Sequence, residues 1–393
     1  MYRHGLVFGG GLTAALMEMR EVDYRYRGAD RLALDNVSMT VDSGCHTALL
    51  GVNGAGKTTS FYIFDAVYRP EKGEVRYRGV PLVYDREHLT ELRSKVGVVL
   101  QNPDDQMFAS TVEEETAFGP LNCGMPRDEI EQRIVDSLNA VGMLEFRRRP
   151  LHQLSYGQRK RVAIAGALAM HPRMLIMDEP TAGLDPQMSL EVLEMAEELQ
   201  ASGTTVVIST HDADLAYRWA DRIEVLQRGR SVYSGSPDGF YEDESAVRHA
   251  GLARPSVFEI DHEICRIRGD DPRPYPRSSA QLISRLGQTD VVPGRLLCLS
   301  AGLDGAPLSE RVCQALRERP GTKVGVYGMG ARELAASCGL AIDFYYDAVD
   351  ACLIENVAGR DAVLICDREA LPIVRREAAA LAQFGTSVDL EVS

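Results

Sequence analysis

Eight residues restrict the fold more than any other stretch of this sequence: Gly51-Val-Asn-Gly-Ala-Gly-Lys-Thr58, set directly after the apolar run Thr47–Leu50. The pattern G-x-x-x-x-G-K-[ST] works only as a strand, a tight loop and a helix in that order. The apolar run supplies the strand, and a helical stretch beginning at Thr58 supplies the helix. In that frame the glycines let backbone N–H groups wrap a phosphate, and the helix N-terminus adds the positive end of its dipole. Lys57 reaches the β- and γ-phosphates, and Thr58 coordinates Mg2+. The phosphate-binding candidates are therefore Gly51, Asn53, Gly54, Ala55, Gly56, Lys57, Thr58 and the next residue, Thr59. A chance glycine-rich turn is the competing reading, and eight matching positions in the right frame leave it little room.

Around this loop, from Met19 to about Gly251, short β-branched runs alternate with longer helical ones, the pattern of an α/β fold. Strands are expected at Thr47–Leu50, Val96–Leu100, Met174–Met177, Thr205–Ser209 and Ile223–Gln227, with helices over 127–145 and 157–170. The first helix is polar-faced; the second is apolar almost all round and should be buried. Residues 251–289 read as a helical appendage and linker around the Pro-rich break 270–276, and residues 290–393 as a small parallel-sheet α/β domain. In that last section RLLCLS (295–300), KVGVYG (323–328) and AVLICD (362–367) are the strands, separated by helices around 309–318, 331–338, 347–357 and 369–383. Residues 1–18 read as a disordered N-terminal tail, with Met17 and Met19 as alternative start positions.

Composition narrows the function. A net charge of −14 opposes binding to a phosphodiester backbone, so no nucleic-acid partner is expected. Eight cysteines without C-x-x-C spacing suggest neither a zinc cage nor a disulfide framework, and fit reduced thiols in a cytosol. No apolar run reaches the roughly 18 to 20 residues of a membrane span, so any membrane role requires a partner.

A second acidic element follows about 120 residues after the loop, where MLIMDEP (174–180) is an apolar strand ending in two carboxylates. Asp178 would hold Mg2+ through water and Glu179 would polarise an attacking water. Alone, such a pair reads more simply as a solvated turn; beside a phosphate loop, the chemical reading prevails.

Between these elements lies Leu154-Ser-Tyr-Gly-Gln-Arg159, which resembles the signature motif of ATP-binding-cassette ATPases. Other motifs of that family fall in order. Gln101 matches the Q-loop glutamine, Ala182-Gly-Leu-Asp185 the D-loop, His211 the switch histidine, and Tyr26 the aromatic residue that stacks on adenine. The resemblance covers roughly residues 19–286 and implies a P-loop ATPase cassette with a helical subdomain, acting on ATP with Mg2+. It also implies a head-to-tail dimer in which Ser155, Gly157 and Gln158 grip the γ-phosphate of ATP bound to the other subunit. Asp185 would link the two sites, His211 would sense the γ-phosphate, and Gln101 would contact Mg2+ and the attacking water. Glu179, His211 and Gln101 are thus the catalytic candidates, and Thr58, Gln101 and Asp178 the metal candidates. Tyr156 departs from the glycine that many members carry, which a residue with negative φ tolerates. Arg159, Lys160 and Arg161 read as a solvated helix face, with steering of an anionic nucleotide or partner as the alternative.

The segment Gln101–Phe108, continued by Thr111–Asn122, is similar to the Q-loop region of energy-coupling-factor importer ATPases, particularly those assigned to cobalt or nickel uptake. That resemblance implies a transmembrane coupling subunit, a substrate-binding membrane subunit, a second ATPase subunit in a homodimer or heterodimer, and a peripheral location on the cytoplasmic face of the cell membrane. Gln106, Met107 and Phe108 are the docking candidates, with packing inside the helical subdomain as the alternative for the last two. Two other functions compete: a soluble cassette ATPase outside transport, disfavoured by one cassette and no sustained heptads, and an ATPase regulated by a metabolite at the C-terminal domain. Tyr327-Gly-Met-Gly330 is a weak dinucleotide signal and more simply a strand–helix turn. Residues 290–393 are expected to be a regulatory or oligomerisation module.

Overall fold

The computed structural model describes residues 15–287, 291–300, 308–319 and 321–392. The described chain runs through β1 (Ala15–Tyr24), β2 (Leu34–Asp42), β3 (Thr47–Leu50), α1 (Lys57–Phe64), β4 (Lys72–Tyr77), β5 (Val80–Pro81), α2 (Arg86–Lys95) and β6 (Val96–Val99). Helices α3 (Val112–Asn122), α4 (Arg127–Ala140) and α5 (Tyr156–Leu168) come next. Then follow β7 (Met174–Asp178), α6 (Pro186–Ala201), β8 (Thr205–Thr210), α7 (Ala213–Trp219), β9 (Arg222–Gln227) and β10 (Arg230–Gly235). Four helices lead away from the cassette: α8 (Pro237–Glu242), α9 (Glu244–His249), α10 (Ser256–Arg268) and α11 (Ser279–Leu286). The C-terminal section contains β11 (Arg295–Ser300), α12 (Leu308–Glu318), β12 (Lys323–Tyr327), α13 (Met329–Ser337), α14 (Ala348–Val357), β13 (Ala362–Cys366), α15 (Leu371–Ala380) and β14 (Asp389–Val392).

The strands expected around the phosphate loop form one sheet in the order β10-β9-β3-β8-β7-β6, parallel except at the β10 edge. Every residue of β3, β7 and β8 is buried. Such strands read as unbroken apolar runs because both faces are covered. One face packs against α3 to α7 through residues such as Leu138, Ile164 and Val192. The other packs through Phe61, Phe64 and Ile176 against α1 and an antiparallel sheet, β2-β1-β4-β5, that is not among the strands named from the sequence. Registers set the function: Leu50 pairs with Thr210 and Asp178 with Ser209, so β3, β7 and β8 end together at one sheet edge. Sites of α/β folds form at that edge.

Three boundaries differ from expectation. Residues 15–18, assigned to the tail, belong to β1, where Met17 and Met19 are buried and pair with Val41 and Met39; residues 1–14 lie outside the described residues. Both candidate start positions therefore stand inside a strand. The helix expected over 127–145 ends at Ala140, because Gly142 adopts the left-handed φ of +62° that terminates helices. The appendage, finally, is divided between two cores. Phe258 and Tyr275 bury themselves in the cassette core, whereas Ala280 on α11 belongs to the core of the C-terminal sheet.

That C-terminal sheet has the order β12-β13-β11-β14 and is parallel throughout. Three of its strands stand where the sequence places them; β14, four alternating half-exposed residues, carries too little apolar signal to be seen beforehand. The Gly-Met-Gly turn is a strand–helix turn whose helix start is filled by the chain itself, since Gly330 N–H donates to Asp367 at 3.0 Å. Asp347 pairs with Arg218 and Asp350 accepts the Ala280 N–H, so these acids hold the unit to its surroundings. The eight cysteines are free.

Candidate functional site

The loop between β3 and α1 takes its shape from close approach: a Cβ at Gly51, whose φ is +154°, would lie 2.5 Å from Leu226 O. Lys57 opens α1 and is buried, with Nζ donating to Gly51 O at 2.6 Å and paired with Glu179 Oε1 at 3.1 Å. The next residue, Thr58, donates its hydroxyl to Asp178 Oδ2 at 2.5 Å. Asp178 Oδ1 accepts from the Ser209 hydroxyl, and that same Ser209 oxygen accepts the Glu179 N–H at 2.9 Å. Beyond the strand end, His211 Nδ1 lies 3.0 Å from Glu179 Oε2. A lysine, two threonine-class hydroxyls, two carboxylates and an imidazole thus converge from three strand ends.

Glu179 sits in the left-handed region at φ +44°, a conformation that is strained for a residue with a side chain and that clusters at functional sites. The bonds from Ser209, Lys57 and His211 hold it there.

Lys57, Thr58, Asp178 and Glu179 open onto a cleft of about 710 Å3, whereas His211 is hydrogen-bonded to Glu179 without itself lining the cleft. Asn53, Gly54, Ala55 and Gly56 line it, as do Lys57, Thr58 and Thr59. So do Gln101, Asp178 and Glu179 on the far wall and Tyr26 at the rim. The Tyr26 hydroxyl shares a hydrogen bond with Thr59 Oγ1 at 2.8 Å, and its ring stands edge-on to Tyr24 and Tyr68, with centroids 5.3 and 5.6 Å away. At 40 % exposure that ring keeps an open apolar surface for a flat partner. A hydroxyl, a carboxylate and an amide oxygen, from Thr58, Asp178 and Gln101, are the hard oxygen donors that Mg2+ takes.

The remaining candidates stand apart from this cleft. Ser155 caps α5 through a reciprocal capping box with Gln158, their bonds measuring 3.2 and 3.0 Å. Gly157 lies buried against Met188, and Asp185 caps α6 by accepting the Met188 N–H at 2.8 Å. Neither Ser155, Gly157, Gln158 nor Asp185 lines the cleft.

Sequence reasoning missed Ser209, the hinge pin of both acids, and two arginines on the cleft, Arg31 and Arg228. A serine at the end of an otherwise apolar strand is the signal that marks the first. The solvated face expected for Arg159–Arg161 is not present. Lys160 is fully buried, with burial pushing its ammonium down to about 8, Arg161 is paired with Glu191, and Arg159 donates to Leu154 O at 2.7 Å. Of the docking candidates, Gln106 turns inward to the backbone of Val98 and Leu100, and Met107 packs against the cassette core. Phe108 alone is exposed, at 61 %, and is joined by Phe118, whose ring centroid lies 4.1 Å away, and Leu121.

Comparison with known proteins extends this picture. The sequence profile of the ABC transporter family matches residues 34–182. The chain is 37% identical over 355 residues to the energy-coupling factor transporter ATP-binding protein EcfA2 of Methanospirillum hungatei, covering 89% of each. It is 45% identical over 245 residues to EcfA of Methanocaldococcus jannaschii, covering 62% of this chain and 88% of that one. Among solved structures it is similar to cbiO1 of Clostridium perfringens, part of the ABC transporter complex cbiONQ, with 36% identity and a TM-score of 0.55 over 64% of this chain and 99% of that one. A dimeric ATP-binding cassette in a post-hydrolysis state, bound to ADP and Pi, aligns at 28% identity with a TM-score of 0.52, over 56% of this chain and 98% of that one.

Proposed function

Because the chain belongs to the ABC transporter ATPases, among the ATP-binding proteins of energy-coupling factor transporters, we propose that it hydrolyses ATP to drive a membrane importer whose cargo is cobalt or nickel ions. The observation that carries the ATPase reading is the convergence of Lys57, Thr58, Asp178 and Glu179 on one cleft, with His211 paired to Glu179. In this reading the triphosphate takes the place that Gly51 O and Glu179 hold around Lys57 Nζ. Mg2+, held by Thr58, Gln101 and, through water, Asp178, would screen the phosphate charge. Glu179 accepts a proton from the attacking water while Gln101 orients it, and His211 donates to the γ-phosphate. Tyr26 stacks on the base.

The separation of Ser155, Gly157 and Gln158 from the cleft supports pairing with a second ATPase subunit, identical or related, whose nucleotide they would grip at the start of α5. Asp185 would meet its counterpart site across that interface. The exposed Phe108, Phe118 and Leu121 patch supports a transmembrane coupling subunit as partner, beside a substrate-binding membrane subunit, and so a peripheral place on the cytoplasmic face of the membrane. No helix among the described residues is long and apolar enough to cross a membrane.

The cargo reading rests on the likeness of the Gln101–Asn122 segment to cobalt and nickel importers. The C-terminal unit is read as regulatory, because it sits on α6 and α5, the helices that begin at Asp185 and Ser155. Uptake of labelled cobalt and nickel by cells lacking the protein, and by the same cells with it restored, tests the cargo. Uptake of one ion should fall to background and recover; equal uptake of both in all strains would overturn the assignment.

A further inference from the structure

Three hydrogen bonds join the first turns of α5 to the backbone of Leu100 and Gln101. Lys160, with no exposed surface, donates from Nζ to Leu100 O at 3.1 Å and to Gln101 O at 2.7 Å. Tyr156, one turn earlier on the same helix, donates its hydroxyl to that same Gln101 carbonyl at 3.2 Å. Both lone pairs of one carbonyl oxygen are thereby engaged. On the other side of the strand end Gln106 completes the hold, donating to Val98 O at 3.1 Å and accepting from Leu100 N at 3.0 Å. The backbone is fixed while the Gln101 side chain stays exposed on the cleft.

A buried ammonium is an expensive way to fill space. The charge of Lys160 is balanced at a distance, by Asp178 and Glu179, and methionine would occupy the same volume without desolvating a cation. Packing alone therefore does not explain a lysine here; two carbonyls that need a donor do. The tyrosine fits the same account. Its ring also lies against Gly183, where a Cβ would stand 3.1 Å from it, so the side chain that holds Gln101 touches the loop leading to Asp185.

We infer that Lys160 and Tyr156 are positioning residues that tie Gln101 to the signature helix, so that Gln101 in this chain's cleft and Ser155 facing the partner's nucleotide move as one piece. The inference rests on the proposed place of Gln101 at the γ-phosphate. Seating of a γ-phosphate against Gln101 then shifts the start of α5 directly, and Ser155 reports the filling of one site to the other. Neither residue lines this chain's cleft, so the link acts on turnover rather than on ATP affinity.

The full chain, purified with its membrane partners, carries the test as Lys160→Met, Lys160→Gln, Tyr156→Phe and Gln101→Ala variants, measured for steady-state ATPase, ATP affinity and melting temperature. Lys160→Met is expected to keep ATP affinity within about twofold while kcat falls about tenfold, the loss of one well-placed donor. Lys160→Gln, which restores a donor, should recover part of that loss. Tyr156→Phe should lose about threefold in kcat, and combined with Lys160→Met should lose less than the product of the two, because both act on one carbonyl. A wild-type kcat in Lys160→Met beside a slow Gln101→Ala overturns the inference and leaves the site intact. A wild-type rate in Gln101→Ala instead removes Gln101 from the γ-phosphate, and with it the reading beneath. If Lys160→Met lowers the melting temperature, Tyr156→Phe decides alone: an unchanged kcat overturns the link, and a fall with unchanged ATP affinity supports it.

Discussion

Glu179 gathers the charged contacts of the cleft on one side chain. Its left-handed backbone stores strain on the order of 1–3 kcal/mol, and its carboxylate faces both an ammonium and an imidazole. Glu179→Gln keeps the shape and the hydrogen-bonding reach but removes the proposed proton acceptor. ATP binding should persist, turnover should fall on the order of 100-fold or more, and the closed dimer should accumulate with MgATP in light scattering. An unchanged hydrolysis rate in that variant would strip Glu179 of its role. At this scale the sequence was legible wherever chemistry demands neighbours in the chain. Gly51 to Thr58, and Asp178 with Glu179, are contiguous because one loop and one strand end present them. Ser209 and Lys160 act through residues about 30 and 60 positions away; Ser209 carries only the mark of a hydroxyl at the end of an apolar run, and nothing local distinguishes Lys160 from a solvated cation.

Among the elements, α3 shows how little of a surface can be read ahead of a structure. Thr111 and Glu114 form the capping box that the sequence TVEE spells out, worth about 1 kcal/mol. Which apolar residues remain outside the helical subdomain depends on tertiary packing. Met107 goes in, Phe108 stays out, and Phe118 and Leu121 join it from one face of α3. Two adjacent exposed phenylalanines at 61 % and 45 % are an anchor pair of the kind that dominates binding energy. Replacing both Phe108 and Phe118 with alanine should leave the ATPase rate of the isolated protein within about twofold and lower recovery with the membrane partner at least tenfold. Undiminished co-purification from detergent would move the docking surface elsewhere. The end of α4 teaches the same lesson in reverse: apolar periodicity ran past Ala140, and a single glycine at φ +62° stopped it.

Taken as a whole, the molecule places its C-terminal unit on an acidic seam. Glu194 pairs with Arg332, the Tyr327 hydroxyl donates to Glu197 at 2.6 Å, and Glu198 faces Asp367, with Glu369 close behind. Burial outweighs the nearby guanidinium, pushing Glu194 up to about 7 and Glu198 up to about 8. Undocked, both carboxyls return toward 4.5, so the docked form binds more protons across that window. Docking is therefore strongest below the ordinary carboxyl range and weakens as pH rises through 7 to 8. Hydrogen exchange of α13, corrected for intrinsic rates, should show protection falling between about pH 5 and 8, and Glu198→Gln should preserve it at the alkaline end. Equal protection throughout would sink the idea. The alternating α/β order of both units was readable from composition and periodicity, but this seam was not, since it depends on which acids of α6 meet which residues of a unit 130 or more positions later. The divided loyalty of residues 251–289 has a practical corollary. A shortened chain ending at residue 289 would keep α11 while discarding the sheet that shelters Ala280 and Ser284, leaving a sticky amphipathic orphan. The natural scissor point lies between Arg277, which still grips Ala220 O, and Ser278, which begins the next body.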